Sequence, residues 1–265
     1  MPLLTLSEIW IYPVKSLGGI RLKEAKVFPK GLQHDRRWML IADENRFMTQ
    51  RDYPIMSQFK QTLKTKGVEV SFKGQTIDID FESELVSDSI QSNVWDDAVE
   101  VREVSKFHSE WFSDKLNMNC KLVSFPETNS RPVDPDYAKH QEQVSLADAF
   151  PFLIIGEASL ADLNSRFKEP LPMNRFRPNF VFSGGAPYEE DLWRNFSIGK
   201  NKFAGVKPCA RCVLTTINQD TAEKGIEPLA TLSKYRKSGN KVLFGQNVLA
   251  IDHYEVYEGD EIVVG

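Results

Sequence analysis

Cysteine is scarce in this chain: three residues in 265, an odd number, with only four histidines beside them. So few thiols do not make a disulfide framework, which points to a reducing compartment and to free or metal-bound sulfur. Long apolar runs are missing too. Runs such as Phe150-Pro-Phe-Leu-Ile-Ile155 fall far short of the ~20 residues that a membrane-spanning helix needs. The stretch from Met1 to Ile11 has no basic region and meets Glu8 early, so no signal peptide is expected. There is no internal repeat, no low-complexity tract and no glycine fingerprint of a P-loop or dinucleotide-binding fold. A formal charge of −4 gives no global attraction to nucleic acid, so any anion site must be local. What remains is an ordinary soluble composition, 41% hydrophobic and 26% charged, long enough for one large β domain or two intertwined ones. A cytoplasmic enzyme is the default expectation.

Two of the thiols lie together in Val206-Lys-Pro-Cys-Ala-Arg-Cys-Val-Leu-Thr-Thr-Ile217. Thiolate is the form of cysteine that attacks electrophiles and binds soft metals, and a neighbouring guanidinium, here Arg211, favours it. The β-branched run from Val213 to Ile217 predicts a buried strand, which would place both thiols in a turn feeding a rigid element. Other readings stand beside a ligand role. Zinc would need two further Cys or His ligands, and Cys120, His34, His108, His140 and His253 offer no paired spacing. A thioredoxin-like pair would open a helix, whereas this one precedes the expected strand. Structural cysteines are the plain alternative, and the simplest reading of Cys120.

Along the chain, alternation predicts strands over 4–12 and 20–28. Between them, Lys15 and Ser16 beside Gly18-Gly19 suit a phosphate-like anion or form a simple turn. A buried strand is expected at 37–42, with Asp35, Arg36 and Arg37 at its mouth either completing an anion pocket or forming a solvated pair. Residues 46–56 read as a loop, 56–66 as a strand or short helix, and 67–81 as a hairpin through Lys73-Gly74. The acidic stretch 82–97 reads as a water-facing loop with room for an edge strand. Helical spacing over 104–116 puts Phe107, Trp111, Phe112 and Leu116 on one face. Strands follow at 120–125 and 150–155, separated by a polar loop over 126–137 that marks the organisational boundary. After a helix over 157–167, an extended chain would turn Arg175, Arg177 and Asn179 to one side, toward one ligand or merely at the surface. Residues 188–191 read as a loop, 196–203 as a hairpin, 228–236 as a short helix opening on Pro228, and 243–251 as a strand in which Gly245 marks a close backbone approach. A turn and a terminal strand end the chain over 256–264. Basic or thiol-bearing loops thus feed strands at Lys15, Arg36, Arg177 and Cys212. Gathered in one barrel, they would suit a ligand with a phosphate at one end and a soft metal at the other.

The landmarks that carry a resemblance are Tyr12-Pro-Val-Lys-Ser16, Asp35-Arg36, Pro151-Phe152 with Glu157-Ala-Ser-Leu160, Arg175-Phe-Arg-Pro-Asn179, Cys209-Ala-Arg-Cys212 with Thr215-Thr216, Glu227-Pro-Leu229 and Phe244-Gly-Gln246. Together they resemble, almost end to end, the molybdenum cofactor sulfurase C-terminal (MOSC) superfamily with the N-terminal β-barrel domain that precedes it in the mitochondrial amidoxime-reducing component and its bacterial relatives. The resemblance implies a mostly β fold with helices (α+β): a MOSC β-barrel over 126–265 intertwined with an N-terminal MOSC β-barrel-like domain over 1–125. It implies a bound molybdenum cofactor (Mo-molybdopterin) with Cys212 as metal ligand and catalytic centre. Lys15, Ser16, Arg36, Arg177 and Asn179 would hold the pterin and its phosphate, with Arg175 in the same motif and Ala210 and Arg211 at the metal's side. Asn247 stands where relatives carry a tyrosine contact, and Ala149-Phe150 replaces hydroxyl residues. Cys209 is read as packing, or as a thiol behind the ligand. The implied activity is reduction of N-hydroxylated compounds (amidoximes, hydroxylamines and N-hydroxylated bases) by oxygen-atom transfer, consuming two electrons and two protons. One alternative is a non-catalytic molybdenum-cofactor carrier or sulfur-transfer module, and another is a thiol oxidoreductase using Cys209 and Cys212. No four-cysteine ferredoxin domain follows the terminal strand, so a separate electron-donor reductase or carrier is expected. Neither a nucleic acid polymer nor a membrane is expected as a partner.

Overall fold

The computed structural model describes residues 3–85 and 88–265. Positions 1–2 of the amino-terminal stretch and 86–87 of the acidic stretch read as a loop lie outside them. The alternating strand Thr5–Ile11 buries Leu6, Ile9 and Ile11, and its neighbours decide the architecture. It pairs antiparallel with Ile20–Leu22 on one side and with Phe180–Ser183 on the other, so a strand from the start of the chain completes a sheet built mainly from the second half. Across that sheet the order is Ile262–Val264, Asn195–Ile198, Asn201–Arg211, Lys241–Ala250, Phe152–Gly156, Phe180–Ser183, Thr5–Ile11 and Ile20–Leu22. The exchange is mutual, because Glu255–Tyr257 pairs with Glu24–Phe28. The N-terminal half adds a sheet of Trp38–Ile41, Lys121–Ser124, Asp97–Glu103 and Ile90–Val94, and another of Lys60–Leu63, Gly67–Phe72 and Gln75–Asp80. The expected mostly β architecture, with barrel-like sheets interlocked between two halves, is borne out.

One apolar cluster serves both halves, joining Leu6, Phe59, Val70 and Phe112 to Phe152, Phe180, Phe203 and Ile262. Each such side chain contributes roughly 1.5–3 kcal/mol when fully buried, so separating the halves would expose a shared core. Among the described residues no helix is long and apolar enough to cross a membrane.

Several departures from the sequence patterns have local causes. The run 20–28 breaks at Lys23 into two strands of different sheets. Residues 56–66 divide between a 3₁₀ turn at Pro54–Gln58 and the strand Lys60–Leu63. Residues 188–191, read as a loop, fall largely in a 3₁₀ turn, Glu189–Leu192. Phe107 does not join Phe112 in the core: it is 69% exposed, because five residues along a helix place it roughly 140° away. The expected strand at 213–217 is a 3₁₀ turn, Val213–Thr216. Two hydroxyls favour it: Thr215 Oγ1 donates to the Cys212 carbonyl at 2.9 Å and Thr216 Oγ1 to the Val213 carbonyl at 2.8 Å, offering the backbone an alternative to a ladder. The strand is Asn201–Arg211 instead: it carries Cys209 and ends just before Cys212, so the motif is a strand feeding a turn.

Candidate active site

The strand Asn201–Arg211 does not run straight. Its register against Lys241–Ala250 slips between Gly205 and Lys207 and again between Pro208 and Ala210. Pro208 has no N–H to give to a ladder and sits where bulges are tolerated, and such bulges re-aim the residues that follow. Asn247 braces the distortion by donating Nδ2 to the Lys207 carbonyl at 3.2 Å. Opposite, Gly245 takes φ +80°, and a Cβ there would meet Ile155 Cγ1 at 2.7 Å, the close approach expected of it. The outcome is that Cys209, Ala210, Arg211 and Cys212 line one cleft enclosing about 860 Å³ of empty space, part of it open to solvent. Both thiols are half-buried and free.

Other segments converge on the same cleft. Lys15, Ser16, Arg36, Arg177, Asn179 and Asn247 line it, as do Ala149 and Phe150. Ser16, Arg36 and Arg177 all adopt left-handed backbone, with φ of 68°, 52° and 54°. Side-chain-bearing residues hold that conformation at a cost of order 1–3 kcal/mol each, which is sustained only where the surroundings over-determine it. For Arg36 and Arg177 the surroundings are Tyr12 and Asp35. The Arg36 and Arg177 guanidinium groups lie 4.5 and 4.1 Å from the centre of the Tyr12 ring. Tyr12 O–H donates to the Pro178 carbonyl at 3.0 Å, and burial keeps its phenol firmly protonated. The buried Asp35 carboxylate accepts from the Tyr12 amide at 2.7 Å, from Asn179 Nδ2 at 3.1 Å and from Arg36 Nη1. Gly19 makes room for this stack, since a Cβ would come within 2.6 Å of the Tyr12 ring.

Arg175 is the exception among the expected site residues. The chain around it is not extended: Met173–Arg175 is a 3₁₀ turn and Arg177 is left-handed, so the two arginines diverge. Arg175 is absent from the cleft lining and reaches the Thr215 carbonyl at 3.4 Å. Arg177 instead turns inward, with Nη1 on the Leu17 carbonyl at 2.7 Å, and burial pushes its pKa down to about 10.

Two charged cleft residues carry no signal in the sequence. Arg51 comes from 46–56, read as a plain loop, and Asp148 from the unpatterned Ser145-Leu-Ala-Asp148; neither spacing nor periodicity marks them. Arg51 Nε donates to Cys212 Sγ at 3.1 Å, and its Nη2 meets Asp148 Oδ2 at 3.1 Å. Lys15 Nζ takes the other Asp148 oxygen at 2.6 Å and donates to the Leu146 carbonyl at 2.8 Å. Burial drives Lys15 down to about 8, with Asp148 pulling the other way. For Asp148, burial opposes ionisation, but Lys15 and Arg51 outweigh it and hold the carboxyl well below the usual range.

Lys15, Arg36, Arg51, Arg177 and Arg211 thus face the cleft, with Asp148 the one carboxylate among its described lining residues. Arg211 donates Nη1 to Cys209 Sγ at 3.1 Å and Nη2 to the Phe176 carbonyl at 2.6 Å. Its Nε, like Nη2 of Arg177, is buried without a hydrogen-bond partner. Buried donors normally find acceptors, so both guanidinium groups keep hydrogen-bonding capacity that the described residues leave unused. Among the described residues no three His, Cys, Asp or Glu side chains gather closely enough to hold an ion by themselves.

Two family models match this chain. The MOSC domain matches residues 141–263, and the MOSC N-terminal beta barrel domain matches 3–119. Mitochondrial amidoxime-reducing component 1 of Mus musculus is 32% identical, over 98% of this chain and 80% of that protein. The Homo sapiens protein of the same name is also 32% identical, over 98% and 81%. The molybdenum cofactor sulfurase of Oryza sativa subsp. japonica is 30% identical over 98% of this chain, which spans 34% of that protein's length.

Proposed function

Because this chain belongs to the MOSC domain family, in the form with a MOSC N-terminal beta barrel ahead of the MOSC domain, we propose that it is a molybdenum-cofactor-dependent reductase of N-hydroxylated compounds. Amidoximes, hydroxylamines and N-hydroxylated bases are its substrate classes, and a separate redox partner supplies the electrons. The observation that carries this reading is one cleft combining the Cys212 thiol with cationic walls whose buried Arg177 and Arg211 donors lack partners. A pterin holding a soft metal at one end and a phosphate at the other complements both: thiolate suits the metal, and guanidinium forks suit phosphate oxygens.

When bound, the cofactor supplies two-electron oxygen-atom-transfer chemistry. The protein's own residues do the rest. Cys212 offers its sulfur from the turn that Thr215 and Thr216 fasten. Arg36 and Arg177, stacked on Tyr12, hold the phosphate together with Lys15, and Asn179 and Ser16 complete that end. Asp148, held ionised by Lys15 and Arg51, accepts hydrogen bonds from groups entering the cleft.

A second reading, a cofactor carrier or sulfur-transfer module, is favoured by one observation: Cys209 is another half-buried thiol on the cleft wall, with Arg211 Nη1 at its sulfur. The two separate in one assay. Protein from a cofactor-producing host, given a reduced viologen, is expected to convert benzamidoxime to benzamidine. Bound cofactor without that reduction, with a persulfide on either cysteine after exposure to a cysteine desulfurase, would select the second reading.

A further inference from the structure

Arg51 belongs to none of the motifs that mark the site, yet its Nε lies 3.1 Å from Cys212 Sγ. We infer that Arg51 is a positioning residue of the reaction centre, whose N–H fixes the direction of the Cys212 sulfur and withdraws charge from it, raising the reduction potential of the metal that this sulfur ligates. The inference rests on the reading of Cys212 as the ligand.

The guanidinium is held on every side. Its Nη2 meets Asp148 at 3.1 Å, and Lys15 occupies the other oxygen of that carboxylate. Its plane lies 4.1 Å from the Trp95 ring centre, and Phe47 supports Trp95 edge-on at 5.4 Å. Trp95 itself has left-handed backbone, φ 58°, a conformation that bulky residues rarely take and that surroundings must enforce. The Arg51 carbonyl accepts from Lys224 Nζ at 2.8 Å, tying its backbone to the far side of the Cys212 turn. Arg51 and Trp95 come from the N-terminal half, Asp148, Cys212 and Lys224 from the C-terminal half. The contact to sulfur is therefore set by the way the two halves lock together.

Hydrogen bonds to a ligating sulfur stabilise the more negative, reduced state, and groups that orient a metal ligand typically govern 10–100-fold in affinity or activity. Lysine cannot substitute, because a single ammonium does not reach sulfur and carboxylate together as a planar fork does.

The test compares wild type, Arg51→Lys, Arg51→Met and Asp148→Asn, made in a cofactor-producing host, for molybdenum content, midpoint potential, and kcat and KM with benzamidoxime. Both Arg51 variants are expected to retain molybdenum, to shift the potential negative, and to lose roughly 10–100-fold in kcat with KM nearly constant. Asp148→Asn keeps the bond to sulfur and is expected to shift the potential less. Should Arg51→Met not accumulate as folded protein, Arg51→Lys, which keeps the charge, reads the same shift. Molybdenum-loaded Arg51 variants with the wild-type potential, or a loss of turnover that merely tracks lost cofactor, would overturn the inference and leave the functional reading standing. Wild-type protein without molybdenum would overturn both.

Discussion

The side-chain amides of Gln50 and Gln219 bond to each other reciprocally across the two halves: Gln50 Nε2 donates to Gln219 Oε1 at 3.1 Å, and Gln219 Nε2 donates to Gln50 Oε1 at 2.9 Å. Both are buried. Gln50 also donates to the Ser16 carbonyl at 2.7 Å, and Gln219 to the Ile217 carbonyl at 3.2 Å. The pair therefore links the Lys15-Ser16 loop to the chain just past the Cys212 turn.

Gln219→Leu leaves Gln50 Oε1 buried without its donor, which costs about 1–3 kcal/mol. Urea denaturation is expected to show that loss, and the double variant Gln50→Leu/Gln219→Leu to recover part of it, because removing both partners leaves fewer unsatisfied groups. A Gln219→Leu protein as stable as wild type would show the link to be dispensable.

Arg177→Met removes the guanidinium that Tyr12 stacks and that carries a buried unpartnered donor. Charge-assisted hydrogen bonds contribute about 1.5–3 kcal/mol, so cofactor affinity should fall roughly 10–100-fold. Arg175→Met, outside the cleft, should retain cofactor at close to the wild-type level. Pterin retained per mole of protein after dialysis checks both.

Lys15 sets a pH dependence. Its pKa in the folded protein, about 8, lies below the ordinary 10.5, so between these values the unfolded chain holds a proton that the folded protein has released. This group's contribution to stability therefore rises with pH across that window, and below pH 8 the cost of burying the cation is constant. Phosphate bound beside Lys15 favours the charged form and takes up a proton above pH 8. Affinity of the cofactor-free protein for inorganic pyrophosphate, measured calorimetrically, should be flat with respect to Lys15 below pH 8. Above it, affinity should decline by up to about tenfold per pH unit. Lys15→Arg should extend the plateau, and an unchanged profile in that variant would assign the decline to another group.

Much of this architecture is legible in residue order because strands with one buried face alternate, as Thr5–Ile11 and Gly67–Phe72 do. The basic and thiol clusters are legible because their residue types are chemically unusual at that density. What residue order hides is convergence. Arg51 and Asp148 sit in unpatterned loops and meet only because the halves interlock. Local competition is hidden as well: the β-branched run after Cys212 reads as a strand until Thr215 and Thr216 hydroxyls bond backward and wind it into a turn. Arg175 and Arg177 read as neighbours on an extended chain, whereas a left-handed residue between strand and turn sends them apart.

Cys209 and Cys212 line the same cleft with different surroundings, and their variants should separate. The Cys209 sulfur accepts from Arg211 and packs with apolar neighbours around Phe176 and Phe244. Cys209→Ala should lower thermal stability modestly, by about 1 kcal/mol, and leave turnover largely intact.

The proposed function turns on Cys212 as the anchor of a molybdenum cofactor. Molybdenum and pterin content per polypeptide, measured for wild type, Cys209→Ala and Cys212→Ser from one cofactor-producing host, tests it most directly. The expected result is cofactor in wild type and Cys209→Ala, and loss of N-hydroxy reduction with weakened metal retention in a folded Cys212→Ser protein. Wild-type protein without molybdenum and pterin, or equal losses at both cysteines, would contradict it.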